Sequence, residues 1–428
     1  MLDDVDRPGT DPPPTAELIA AGEAALGRGE HEAAFELLTQ AVRADLAASE
    51  VVRLAPLYAS AARAVERPQA AIDWIEGQVV SDLHDRAALL RARISVLREL
   101  DPARVLDLAP EALGVAEAAG DHDAVASILA HATWSACRRG DVRKARELAE
   151  QAQQRSFPTR TAQYDCARAQ AFAATAAGEL ESALHSITRA RAIARELGHS
   201  HAVAVESNLL AEAYLELGYP HEAQACAESA EDIARARRHD PLARTAAALV
   251  AVATAEAGDL DAALIRLGEL GGVGARNVRI DTAAIHAYWL LERGAAGDAR
   301  RAGELAGAGL VLGEAAGVES RYTPLCASLA RARARLGDDA SARAQLERAR
   351  RMSDRCEPGA QSVLALAAAE VLPGSDPQRK VVLAGARARI LRRAARREDP
   401  YAFCVNVRLN RRLLELSGGV PSDLPRGP

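Results

Sequence analysis

Aromatic residues are scarce in this chain: Phe, Trp and Tyr together supply 3% of its 428 residues. A β-sandwich or β-barrel core is thereby disfavoured, because sheets are filled largely by aromatic and β-branched side chains. The hydrophobic fraction is nevertheless 49%. Alanine carries much of it, and closely packed helices are the expectation. Lysine is nearly missing, since only Lys144 and Lys380 stand among 53 basic residues. A phosphate-binding loop, which needs a Gly-rich turn ending in Lys-Ser or Lys-Thr, does not occur. The nearest stretch, "GELGGVGARN" at 268–277, has no lysine. No run of eighteen or more apolar residues offers a membrane span.

Catalytic and metal-binding motifs are missing as well. The H-R-D and D-F-G elements of a protein kinase, the G-x-S-x-G nucleophile elbow and H-E-x-x-H are not found. "HSH" at His199 to His201 has no further ligands at usable spacing for a metal site. "GAGLVLG" at 307–313 lies inside an Ala-rich helical run, so its glycines read as close packing and not as a dinucleotide fingerprint. Cys137, Cys166, Cys226, Cys326, Cys356 and Cys404 stand far apart with no C-x-x-C. Reduced thiols of a cytoplasmic protein, used as small apolar packing residues, are therefore expected. No enzyme, cofactor or metal is implied.

Charge is distributed unevenly. The formal net charge is −6, but residues 378–415 hold eleven Arg or Lys against three acids, a local +8 that leaves the remainder at −14. The overall balance disfavours a general nucleic-acid binder. The N-terminal "MLDDVDRPGTDPPPT" is acidic and Pro-rich, without the basic and apolar regions of a signal peptide. It reads as disordered.

What the chain does have is a repeat. "LAEAYLELGYPHEAQACAESA" at 210–230 runs up to Gly218, turns through Pro220 and resumes with Ala at every third or fourth place. Similar turns recur at Gly29, Gly140, Gly178, Gly258, Gly294 and Gly337, and weaker ones at Glu66, Asp101 and Gly374, so that intervals of 35 to 43 residues fill nearly the whole chain. Within a unit, a small residue seven before the turn pairs with Ala five after it: Gly22 with Ala34, Ala59 with Ala71, Ala171 with Ala183, Ala211 with Ala223, Ala251 with Ala263, Ala287 with Ala299, and Ala330 with Ala342. Helices that meet at small residues approach closely, glycine supplies the backbone angles of a helix end, and proline opens the next helix where its missing N–H costs nothing. Each unit is a helical hairpin.

This pattern resembles the tetratricopeptide repeat, carried in the quoted stretch by Leu210, Ala211, Tyr214, Gly218, Ala223, Ala227 and Ala230. The period is longer than that family's 34 residues, and the Trp expected early in the first helix is mostly Ala or Ser. The resemblance implies an all-α solenoid of about nine to ten hairpins in a right-handed superhelix. The expected division is a disordered segment 1–14, the solenoid 15–376, basic capping helices 377–417 and a disordered tail 418–428. "PYAFCVNVRLNRRLLELS" at 400–417 is similar to the segment that closes such arrays in large bacterial serine/threonine kinases and signal-transducing ATPases. Phe403, Asn406, Asn410, Leu413 and Leu414 carry that likeness.

A solenoid presents its first helices along one groove suited to an extended peptide or a partner's helix. Alignment of the units puts Arg168 and Asn208 at one inward position, and Trp134, Phe172, Glu212, Tyr288 and Arg331 at another. Arg and Asn hold peptide backbone or carboxylate, and aromatics give anchors; the plainer alternative is a solvated groove without ligand. Tyr58, Trp74 and Trp289 read as packing. The expected function is a non-enzymatic adaptor in bacterial signalling, with a protein or peptide partner that the resemblance extends to a kinase or ATPase. The alternative is a nucleic-acid or anionic-surface binder working through Arg389, Arg392 and Arg396. In the helical run "RKVVLAGARARILRRAARRE" these lie across the axis from Leu383, Ile390 and Ala394, an arrangement that also suits a cap.

Overall fold

The computed structural model describes residues 14–272, 274, 276–316, 322–352 and 358–427. Among them every regular element is an α-helix, twenty-two in all. Residues 1–13 of the expected disordered segment, Cys356 and Pro428 lie outside the described residues.

The helices follow one another as hairpins, first helix then second. They are α1 (Thr15–Gly27) with α2 (His31–Ala41), α3 (Ala48–Ala64) with α4 (Pro68–Glu76), and α5 (Leu83–Leu100) with α6 (Pro102–Ala119). Next come α7 (His122–Arg138) with α8 (Val142–Gln153), α9 (Arg160–Ala177) with α10 (Leu180–Glu196), and α11 (Ser200–Leu217) with α12 (Pro220–Ala236). Then follow α13 (Asp240–Glu256) with α14 (Leu260–Leu270), α15 (Arg276–Arg293) with α16 (Asp298–Ala316), and α17 (Tyr322–Arg335) with α18 (Asp339–Met352). The chain ends in α19 (Pro358–Val371), α20 (Pro377–Ala394), α21 (Pro400–Val405) and α22 (Arg408–Leu416). All ten turn positions read from the sequence, from Gly29 to Gly374, fall between helices. Although the period alone suggests one uninterrupted array, the packing divides it within α7 into one compact unit up to Ala132 and another from Thr133 onwards.

Local chemistry explains the turns. In "GD" pairs such as Gly140-Asp141 and Gly258-Asp259 the glycine closes one helix at positive φ. The aspartate then caps the next, accepting from the backbone N–H of Lys144 at 2.9 Å and of Ala262 at 3.0 Å. Glu66 holds the same left-handed conformation without being glycine, at φ 57°.

The small-residue pairs lie where the helices touch. Ala171, Ala183, Ala211, Ala223, Ala251, Ala263, Ala330 and Ala342 are all buried. One pair is corrected by the structure: Ala299 is only half-buried, and Ala302 is the first fully buried alanine of α16. The reason is the longer turn, where Gly294 and Gly297 both take positive φ, so α16 begins only at Asp298 and its register moves by three residues. Tyr58 stacks on Phe35 and meets Trp74 edge-on, and Trp289 is 2% exposed.

From α11 to α19 each first helix packs on the next first helix. The first helices therefore line one continuous face, the side that the sequence assigns to the groove. At the chain's end Leu383, Ile390 and Ala394 of α20 form an apolar cluster with Leu366 of α19, Phe403 and Cys404 of α21, and Leu413 and Leu414 of α22. Residues 418–427, expected as a disordered tail, are instead held by this module. Val420 and Leu424 pack against its core, Tyr401 donates its backbone N–H to the Pro425 carbonyl at 3.2 Å, and Arg426 lies over the Tyr401 ring.

Candidate functional site

The groove candidates fall into two groups. On α7, α9 and α11, Trp134 and Phe172 are half-buried and Glu212 is exposed. The guanidinium of Arg138 covers the Trp134 ring at 5.5 Å, and Cys137 donates its thiol to the Phe172 carbonyl at 3.3 Å, tying α7 to α9.

Arg168 forms the centre of this group. Its guanidinium lies 5.1 Å from the Phe172 ring centre and 5.5 Å from that of Tyr164, and its Nε is 3.1 Å from the carboxylate of Glu206 on α11. Tyr164 donates its hydroxyl to the same carboxylate oxygen at 2.9 Å. Burial raises the pKa of Glu206, while Arg168 and the Tyr164 hydrogen bond oppose that rise. Burial also raises that of Tyr164. Arg168 is thus held by two rings and an acid, and not free in solvent.

Asn208 lies one turn below Glu212 on α11, is 5% exposed, and neither its side-chain nitrogen nor its oxygen has a hydrogen-bond partner. A buried primary amide with donor and acceptor both unmet costs folding free energy, roughly 1–3 kcal/mol per unsatisfied group. It is complementary to the N–H and C=O of an extended peptide.

The second group is closed off. Arg331 of α17 is 0% exposed and pairs with Glu292 of α15 at 2.7 Å and with Glu370 of α19 at 2.8 Å. Its guanidinium lies over the Tyr288 ring, and Tyr288 packs against the C-terminal apolar module. The structure uses these two residues to join three first helices, so the inward alignment is met by internal partners.

A further contact was missed by the sequence reading. The C-terminal segment folds back over helices far earlier in the chain. Arg393 pairs with Glu216 of α11 at 2.9 Å, and Arg397 with Glu181 of α10 at 3.0 Å. The Glu398 backbone N–H also donates to Glu181, Asn406 donates to the Gly218 carbonyl at 2.9 Å, and the Arg408 backbone N–H donates to Glu256 of α13 at 2.9 Å. The Arg408 guanidinium covers the Trp289 ring at 5.8 Å. Burial pushes the Glu256 carboxyl up to about 7, against the pull of Arg408 and Arg411. Arg393 and Arg397 were visible in the sequence only as part of the basic stretch 378–415; their acidic partners were not, lying 177 and 216 residues away.

The three arginines set apart as anion candidates differ from their neighbours in and just after α20. Arg379, Arg387, Arg393 and Arg397 all bond to protein groups. Arg392 and Arg396 are exposed and Arg389 half-buried, and among the described residues none of the three has a hydrogen bond or ion pair. Burial, with Arg392 beside it, lowers the pKa of Arg389.

No protein-family model matches this chain, and neither does any curated protein. Its structure is similar to NprR in complex with its cognate peptide NprX: 13% identity, TM-score 0.51, covering 79% of this chain and 98% of that one. It is also similar to the apo form of the quorum sensor NprR from B. thuringiensis, at 14% identity and TM-score 0.49 over 78% and 99% of the two chains. A signal transduction ATPase with numerous domains and a tetratricopeptide repeat sensor, from Pyrococcus horikoshii, is 12% identical at TM-score 0.44 over 76% of this chain and 52% of that one. The fold is the all-α helical-hairpin solenoid of tetratricopeptide type.

Proposed function

We propose that this protein is a non-enzymatic cytoplasmic adaptor or sensor of bacterial signalling that binds a peptide or protein segment on the first-helix face of α7, α9 and α11. The observation that carries the reading is the unmet amide of Asn208, buried in α11 one hairpin on from the braced guanidinium of Arg168; that amide has to turn outward to meet a ligand. An extended peptide would supply the missing donor and acceptor, a charged group on it would find Arg168, and Trp134 and Phe172 would take an apolar side chain. NprR, which shares the fold, is described with a bound cognate peptide. A signalling kinase or ATPase presenting such a segment is the partner that the likeness of residues 400–417 favours.

The test is selection of binders from a random peptide library, followed by calorimetry on Asn208→Ala and Arg168→Ala proteins. Affinity should fall roughly 2- to 10-fold for each lost polar contact, and further where Arg168 meets a carboxylate. Selected peptides that bind both variants as tightly as the parent would overturn the assignment.

One observation favours a second reading, the three unpaired arginines, Arg389 and Arg392 on α20 and Arg396 just after it. If they hold nucleic acid or an anionic surface, binding of a DNA duplex will weaken steeply with salt and vanish in Arg389→Gln/Arg392→Gln/Arg396→Gln.

A further inference from the structure

The C-terminal module carries its own apolar core, built from α19 to α22. Its contacts with α10, α11 and α13 are of another kind: Arg393 with Glu216, Arg397 and the Glu398 N–H with Glu181, Asn406 with the Gly218 carbonyl, and the Arg408 N–H with Glu256. These contacts are polar; the Arg393–Glu216 pair is partly exposed and screened by salt, while Arg397 is nearly buried against Glu181. Within the module α19 stays anchored, since Ala367 and Ala368 pack with Ala327, Ala330 and Leu346 of α17 and α18, and the polar clasps lie on the segment that follows it.

What the module covers matters for a ligand. Glu216 and Glu256 close the groove stripes of α11 and α13, and Tyr288 and Trp289 lie on α15. The segment also meets this surface as a peptide would, through backbone N–H groups donated to carboxylates and a side-chain amide donated to a carbonyl. We propose that residues 393–411 form an autoinhibitory strap, an intramolecular occupant of the first-helix face that has to lift before a partner can extend from α11 onto α13 and α15. The inference rests on the reading of that face as the partner surface. Its occupant is a basic, arginine-bearing segment, and a partner that displaces it shares that chemistry.

The experiment requires no natural partner, so its failure is separable from failure of the peptide-binding reading. Trp289 is retained as the sole tryptophan by Trp74→Phe and Trp134→Phe, and its quenching by acrylamide is measured in the full-length protein with and without Arg393→Gln/Arg397→Gln. The strap variant should quench at least 3-fold more efficiently, with far-ultraviolet helicity retained. A fluorescein-labelled peptide of residues 389–416 should bind the strap variant at least 10-fold more tightly than the parent, whose surface is already filled. Unchanged quenching, or equal affinity of the two proteins for the peptide, including binding to neither, overturns the proposal. Should Arg393→Gln/Arg397→Gln lose helicity, Glu181→Gln/Glu216→Gln releases the same clasps from the other side and is read in the same way. Loss of helicity in both would make the clasps part of the fold and refute the strap.

Discussion

Asn406 donates its side-chain amide to the carbonyl of Gly218, 188 residues earlier in the chain, at 2.9 Å. The glycine that ends α11 is therefore a turn residue and a docking point at once. At φ +87° it holds a conformation that L-residues resist, and the space a Cβ would need is taken by the Ala402 carbonyl.

Gly218→Ala and Gly178→Ala should accordingly differ. Gly178 has φ +72° but open space around it, so its substitution should cost only the left-handed penalty of about 1–2 kcal/mol. Gly218→Ala should cost more, because α21 has to move away as well. Urea denaturation of the two variants measures the difference, and equal losses would refute the docking account.

Arg331→Met should be among the most damaging substitutions in the chain. It would leave Glu292 buried without its cation, while Glu370 keeps Arg335, and breaking a buried pair costs about 3–5 kcal/mol. Adding Glu292→Gln should recover part of the loss, which a double-mutant cycle will show as non-additivity.

Asn208→Leu should stabilise the protein while it weakens a bound peptide. The substitution removes a buried amide with no partner, worth about 1–3 kcal/mol. A lower melting temperature would mean that the amide is met within the fold.

Glu256 makes stability depend on pH. Its carboxyl, raised by burial to about 7 in the fold, has an ordinary value of about 4.3. Its stabilising contribution is complete below that ordinary value and is lost as pH rises through about 7, by about 4 kcal/mol at most. His286 acts in the opposite sense: burial, with Arg301 and Arg293, pushes it down to about 4, so its contribution is present above its ordinary value and lost as pH falls. Comparing Glu256→Gln with the parent from pH 4 to 9 isolates the first effect. The difference should grow from pH 5 to 8, and a flat difference would show that Glu256 ionises freely.

Arg389→Gln/Arg392→Gln/Arg396→Gln should leave the melting curve within about 0.5 kcal/mol of the parent, as expected for surface positions without partners. Arg397→Gln, which removes a nearly buried partner of Glu181, should not.

The hairpins were written in the sequence because each turn is local. Glycine at a helix end, aspartate at the next helix start and alanine at the crossing points act within about a dozen residues of one another, and all ten turns fell where that spacing put them. Leu383, Ile390 and Ala394 were equally legible as one apolar stripe. The register of α16 was not, since a longer turn moved the buried alanine from Ala299 to Ala302 without disturbing the period. Alignment likewise put Tyr288 and Arg331 at the same inward position as Phe172, but only the tertiary structure decided that α19 and the C-terminal module would cover them. Sequence periodicity fixes which side of a helix faces inwards. What fills that side depends on residues one hundred and fifty or more positions away, such as Arg408 at Glu256 and Arg397 at Glu181, and no local spacing encodes such a pairing.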